Sequence, residues 1–289
     1  MFNRKPNQQL NKSLHLHLKK NNSCLATFRK SVASNNKTSK NLEKMKASIK
    51  LILSAVTITL LISSCTIWED GIRPSKHYIT RSYNIGDFNK IDASTVASIH
   101  YVQSADSSTS LEIYGSDNIV PLIKVYVENG TLYLTTKKNK KINNSGKLKI
   151  QIKTPDLHAI YFKGVGDIYV DSGLRTQSLE VESKGVGNIK IKNLVCESVN
   201  INSLGVGDVE IEGTAQTVTL RSKGVGNIEA DELKAQNVEA SSMGIGSISC
   251  FAANKLNASV KGIGGINYKG NPEHKNLSKG GIGSINAIN

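Results

Sequence analysis

Aromatic residues are scarce in this 289-residue chain, at 5% of the total with a single Trp. The sequence therefore shows no row of rings on which a sugar could stack. Histidine is equally thin. Past residue 64 only His77, His100, His158 and His274 occur, and they are scattered. His15 and His17 stand two apart near the start, but two ligands do not make a metal site. Neither Gly-x-Ser-x-Gly nor His-Glu-x-x-His appears, and no nucleophile–base spacing can be found. These absences argue against an enzyme, a metal and a cofactor. Acidic residues are almost missing from positions 1–64, where Glu43 faces twelve Lys and Arg. The net charge of +14 is concentrated there, and the remainder holds 25 basic and 22 acidic residues, a net of +3. A nucleic-acid partner is not expected of so balanced a body.

Residues 1–44 are polar and rich in Asn, Lys and Ser, a composition that cannot bury enough apolar surface to order itself. Met45 opens a different pattern: a short basic stretch to Lys50, an uncharged run from Leu51 to Ile62, then Ser63-Ser64-Cys65. Basic, apolar and small-residue regions in that order make a secretory signal over 45–64. Met45 thus reads as the start of translation and 1–44 as an over-extended leader. Ile62-Ser63-Ser64-Cys65 resembles the lipobox of bacterial lipoproteins, which implies acylation of Cys65 as the first mature residue. The competing reading is a signal anchor, because the uncharged run reaches Trp68, the lower limit for crossing a bilayer. Both readings export the rest. Residues 65–82 read as a tether. Of the four cysteines, Cys24 falls in the leader, while Cys196 and Cys250 occupy slots that other repeats fill with small or aliphatic residues. They are expected to be interior thiols without a disulfide between them.

From Tyr83 onward the text is β throughout, with no window of helical spacing. Alternating apolar residues mark strands around Ile99–Val102, Leu111–Tyr114, Ile123–Val127, Thr131–Thr135 and Leu148–Ile152. Asn129-Gly130 supplies the positive φ pair of a two-residue type I′ turn, predicting a hairpin over Lys124–Leu134. Lys137–Gly146 reads as a solvated loop.

The second half repeats. Gly-Val/Ile-Gly returns seven times, with glycines at Gly164 and Gly166, Gly185 and Gly187, Gly205 and Gly207, Gly224 and Gly226, Gly244 and Gly246, Gly262 and Gly264, and Gly281 and Gly283. The spacing is about twenty residues. Counted from the first glycine as zero, positions −6 and −4 are apolar (Leu179/Val181, Val199/Ile201, Val218/Leu220) and positions −5 and −3 polar. Position +4 is always Ile or Val, from Ile168 to Ile285. Each repeat is read as strand, Gly-x-Gly corner, strand and return segment. The predicted fold is all-β: a parallel β-solenoid of seven coils with about 20 residues each, right-handed by the usual chirality of parallel connections, behind an N-terminal strand and hairpin region. A twisted antiparallel sandwich is the rival. It would not need one aliphatic column kept in register seven times.

Three columns carry the candidate chemistry. Position +3 reads Asp167, Asn188, Asp208, Asn227, Ser247, Gly265, Ser284; calcium repeats would place Asp in every coil, so a structural ladder is expected. Position −1 carries Lys163, Lys184, Lys223 and Lys261, broken by Leu204, Met243 and Gly280, read as a solvated stripe. The outward acids Glu180, Glu182, Glu210, Glu212, Glu229 and Glu239 are dispersed; a Glu182–Glu210 pair is the one enzyme-like arrangement imaginable.

The opening Tyr83-Asn84-Ile85-Gly86-Asp87-Phe88-Asn89-Lys90-Ile91, the central Val127-Glu128-Asn129-Gly130-Thr131-Leu132 and the run of Gly-Val-Gly-Asp/Asn-Ile units together resemble the putative auto-transporter adhesin, head GIN domain family. The resemblance spans about 83–285, the bulk of a domain placed at 83–289. It implies an exported β-repeat protein with an adhesin-like role and defines no catalytic or ligand residues. The expectation is a lipid-anchored envelope protein, held in the outer membrane through Cys65, whose solenoid binds a surface glycan or protein. The alternatives are a passive structural or envelope-stress accessory and a glycan-active β-helix enzyme.

Overall fold

The computed structural model describes residues 71–288 apart from 139, 144 and 145. The leader, the signal and Cys65 lie outside the described residues. In chain order the strands are β1 (Tyr78–Tyr83), β2 (Lys90–Ser94), β3 (Ser98–Gln103), β4 (Ser110–Ser116), β5 (Ile123–Glu128), β6 (Thr131–Thr136), β7 (Lys149–Thr154), β8 (Ala159–Phe162), β9 (Ile168–Val170) and β10 (Leu174–Arg175). They continue as β11 (Ser178–Ser183), β12 (Ile189–Val195), β13 (Ser198–Ser203), β14 (Val209–Ser222), β15 (Ile228–Ser242), β16 (Ile248–Val260), β17 (Ile266–Lys269), β18 (His274–Lys279) and β19 (Ile285–Ala287). All belong to one hydrogen-bonded sheet, wound into the parallel β-solenoid that the repeat predicts.

Alternation builds each wall. In β11 the chain turns Leu179, Val181 and Ser183 inward and leaves Glu180 and Glu182 partly in water. β13 stacks on it in register, Leu179 on Val199 and Val181 on Ile201. On the second wall Ile168, Ile189, Val209, Ile228, Ile248 and Ile266 form a continuous buried column. Each such side chain contributes roughly 1.5–3 kcal/mol on burial. Because every coil packs only on its neighbours, stability accumulates along the rod.

Chain order and stacking order differ at the first end. β2 lies between β6 and β8, parallel to both, and β3 lies between β7 and β9. The 131–154 segment therefore forms a layer beneath 90–103, and the chain returns to 159 to continue the stack above it. Residues 83–160 were expected only to cover the end; they also supply two layers of the solenoid. β4 pairs antiparallel with β7 and with β1, and β5 pairs antiparallel with β6. The β5–β6 turn is the predicted Asn129-Gly130 pair, with φ of 50° and 70°.

The 90–103 layer has no glycine at its corner. Thr95-Val96-Ala97 takes that place, and Val96 bridges Val165 of the next coil. Below it runs the long 137–148 connection and not another tight corner, so a Cβ is tolerated there. Later coils differ from the expected pattern in a second way. β14, β15 and β16 run 13 to 15 residues without interruption, absorbing the return segment through irregular register, as between Glu210 and Gly213. The last coil is thinner. β18 is exposed along its whole length, and Ile285 is only partly buried.

Candidate interaction surface

The Gly-x-Gly corner is where coils approach most closely. A Cβ on Gly205 would run into the carbonyl oxygen of Gly185 one coil below. The second glycine has a further reason. From Gly166 to Gly264 its φ lies between 129° and 152°, a region that side chains other than hydrogen rarely occupy. Gly281 and Gly283 close the last coil, and Gly283 lacks the positive φ of its counterparts. The corners are joined through their backbones: Val186 donates to Gly164 O at 2.9 Å, and Gly187 donates to Val206 O at 2.9 Å.

Between the glycines stands an aliphatic side chain that points to water. Val165, Val186, Val206, Val225, Ile245 and Ile263 are 47–56% exposed, and Ile282 is 82% exposed. From Val96 to Ile263 these residues form one chain of parallel bridges, each directly above the last. Successive strands stand about 4.8 Å apart, so the column is continuous and some 30 Å long by the same spacing. Monomers seldom expose an unbroken apolar strip of this extent. The surface beside it is a shallow, open groove between the −1 and +1 columns, and its lining includes Lys184, Leu204, Lys223 and Met243.

The candidate chemistry in the sequence lay in the +3 and −1 columns and the outward acids; the aliphatic column lies within the triplets themselves. A signal was present. Continuing the in–out alternation through the corner puts −1, +1 and +3 outward and +4 inward, so the middle residue must face solvent.

Two columns flank this ridge on opposite sides. At −1, Lys163 pairs with Asp92 at 2.8 Å and Lys184 with Glu182 at 2.6 Å. Among the described residues Lys223 and Lys261 have no carboxylate partner. At +3 a ladder forms. Asp167 Oδ1 accepts from the backbone N–H of Asn188 at 2.8 Å, and Asn188 Oδ1 from that of Asp208 at 3.0 Å. Asp208 Oδ1 accepts from Asn227 at 2.7 Å, and Asn227 Oδ1 from Ser247 at 2.9 Å. The column is the expected structural ladder; it needs only a short side chain with an acceptor oxygen, which explains why Asp, Asn and Ser all serve.

The remaining candidates do not converge. Glu182 stands opposite Asn202, while Glu210 stands opposite Lys190, which it binds at 2.6 Å on the other wall. The structure keeps these two carboxylates apart. Glu239 is held by Arg221 at 3.0 Å. Lys269 lies 2.7 Å from both Asp231 and Glu232, whose hydrogen bonds raise its pKa. His100 stacks on Tyr169 with ring centres 4.8 Å apart; burial, aided by the charge of Lys149, lowers its pKa. His158 faces Asp156 at 3.0 Å. No group of three His, Cys, Asp or Glu among the described residues could hold a metal. Cys250 is buried and Cys196 partly so, both as free thiols. Burial pushes Cys250 up to about 12 and Cys196 up to about 11, so neither is a ready nucleophile. In the neighbouring coils Ala235 stacks on Ala252, and the register slips between Ala235 and Asn237.

Comparison with known proteins gives a consistent set of relatives. The family model described as putative auto-transporter adhesin, head GIN domain, matches residues 87–272. A crystal structure described as a putative adhesin from Bacteroides fragilis NCTC 9343 is 55% identical, covering 75% of this chain and 100% of its own, with a TM-score of 0.74. One from Parabacteroides distasonis ATCC 8503, described as a putative lipid binding protein, is 26% identical over 76% of this chain and 100% of its own, with a TM-score of 0.59. A putative adhesin from the same organism, 19% identical with a TM-score of 0.60, shares the fold. No curated protein matches.

Proposed function

Because the chain belongs to the putative auto-transporter adhesin, head GIN domain family, we propose that it is a non-catalytic contact protein of the bacterial envelope, with the aliphatic corner as its contact surface. In this reading the signal at 45–64 exports the chain, Cys65 is acylated and anchors it in the outer membrane, and the residues just after Cys65 hold the domain off the bilayer. The later part of the expected 65–82 tether belongs to the domain, with Ile72 bridged to Ile142 and β1 paired with β4. Several acyl chains are needed for firm anchoring, since each buried methylene is worth about 0.8 kcal/mol and one chain binds only marginally.

The observation that carries the proposal is the continuous ladder from Val165 to Ile263, half in water at every rung. A passive accessory has no use for an apolar strip that invites association, whereas an adhesive module does. The 26% identical relative described as lipid binding also fits a surface of apolar character. The enzyme alternative draws no comparable support, for the acids pair with bases on different walls.

The test has two arms. Protease shaving of intact cells should release peptides from 83–289, and cells carrying Val206→Asp/Val225→Asp should adhere to matrix proteins and glycan arrays several-fold less than wild type. Protection of the domain until the cells are lysed would overturn surface display. Undiminished adhesion by the variant would overturn the assignment of the corner.

A further inference from the structure

We infer that the partner taken by this corner is a second copy of the chain, packed parallel to the first around an axis that runs along the rod. The inference rests on the corner being a contact surface, and three features of the column identify the occupant.

The first is periodicity. The exposed residues Val165, Val186, Val206, Val225, Ile245 and Ile263 are bridged one above another, with the partly buried Val96 beneath them, so they repeat at one strand spacing, about 4.8 Å. A partner that meets every rung must repeat at the same interval, and another copy of this ladder does so by construction. The composition agrees. The column is Val and Ile alone, and β-branched side chains pack well row against row on strands. A surface that dips into lipid instead favours Trp, Phe and Leu, none of which occurs in the column.

The second feature is the asymmetry of the flanks. Lysines run along the −1 side, and Asp167, Asn188, Asp208 and Asn227 run along the +3 side. Rotation about an axis parallel to the rod sets the −1 flank of one copy beside the +3 flank of the next. An antiparallel arrangement would set lysine against lysine. Lys223 has no carboxylate partner among the described residues of its own chain, and Asp208 uses only Oδ1 within its ladder. A charge pair at such a rim selects orientation more than it adds affinity.

The third feature is shape. The strip lies open to solvent along its length, whereas small-molecule sites enclose most of their ligand. Copies gathered around a common axis would cover the column and its flanks together, and a stable interface takes roughly 800 Å² per partner. Joining copies would also raise adhesion through multivalency without any new contact to the ligand.

Residues 69–289 form one compact unit, and the 55% identical B. fragilis protein, matched over 100% of its chain and 75% of this one, was solved as a structure. The fragment is therefore suited to sedimentation velocity across a concentration series. The expected result is the mass of two or more copies for the wild-type fragment and of one copy for Val206→Asp/Val225→Asp, with circular dichroism unchanged because these side chains already face water. Lys223→Glu/Lys261→Glu should weaken assembly at low salt; strengthened assembly would overturn the parallel arrangement. A monomeric wild-type fragment, or a multimer indifferent to Val206→Asp/Val225→Asp, overturns self-association, as would a monomer that co-sediments with anionic phosphatidylglycerol vesicles. If the fragment is monomeric while adhesion of cells still depends on the corner, self-association fails and the contact-surface reading survives. If adhesion is indifferent to the corner, that reading fails as well.

Discussion

At the residue scale, each position of the corner has one requirement, and neighbours in sequence differ sharply in what they tolerate. Gly226 has a φ of 138°, and a Cβ there would meet the carbonyl oxygen of Gly207. Val225 beside it is 47% exposed. Gly226→Val is expected to cost at least about 2 kcal/mol, from strain and a backbone clash together, whereas Val225→Ala should change stability by under about 0.5 kcal/mol; urea unfolding of residues 69–289 measures both. Ser222 gives a prediction of the opposite sign. Its hydroxyl is fully buried and has no hydrogen-bond partner among the described residues, and Val260 fills the same position two coils on. An unsatisfied buried polar group costs about 1–3 kcal/mol, so Ser222→Ala should leave the melting temperature unchanged or raise it. A clear drop in the melt would mean that the hydroxyl has a partner after all.

At the scale of strands and turns, the +3 ladder links coils through side-chain oxygens and backbone N–H groups. Asp208→Ala strands the N–H of Asn227 and is expected to cost about 1 kcal/mol, while Asp208→Asn keeps an acceptor and should be nearly neutral. Thermal melts of the two variants compare them directly. The turn between β3 and β4 adds a pH-sensitive element. Hydrogen bonds from Ser104, Lys153 and Ser108 hold the Asp106 carboxyl well below the usual carboxylate range. A depressed folded pKa contributes stability above the unfolded value of about 3.9, and that contribution fades as pH falls through the acid range toward the folded value. Acidification should therefore lower the melting temperature of wild type more than that of Asp106→Asn. Parallel acid losses in the two proteins would remove Asp106 from the account.

What was legible at this scale depended on which residues carried a periodic signature. The +4 aliphatic column, the −6/−4 alternation and the Asn129-Gly130 hairpin all state their geometry in residue type. The Thr95-Val96-Ala97 coil does not, because its corner rests on a long connection and needs no glycine. The long β14–β16 strands were equally hidden, since irregular register near Gly213 and Asn237 blurs the period of two. The outward Val and Ile were legible in principle. Alternation places them in water, but their apolar character suggests the opposite, and only the backbone shows which rule prevails.

At the scale of the whole molecule, the two ends of the domain differ from its middle. Antiparallel strands β1, β4 and β5 cover the first end, and the permuted layer 131–154 seals the solenoid interior from below. Stacking order that departs from chain order cannot be read from repeats, because 131–154 carries no triplet. Between the ends most apolar residues are buried inside; Val102, Val195 and Met243 are exposed singly, while along one line the same repeat that builds the core presents an unbroken row of Val and Ile to water. The central claim is that this line is covered by a partner when the protein is in place on the cell.

Site-directed thiol labelling tests that claim most directly. Val206→Cys places a thiol on the ridge, and Gln216→Cys places one on β14 at a residue exposed outside the corner. The native Cys196 and Cys250 react slowly because burial holds their thiols protonated. A membrane-impermeant maleimide applied to intact cells should modify Gln216→Cys fully and Val206→Cys several-fold less, while both should be labelled alike in dilute 69–289 fragment. Equal labelling of the two positions on intact cells would contradict the account.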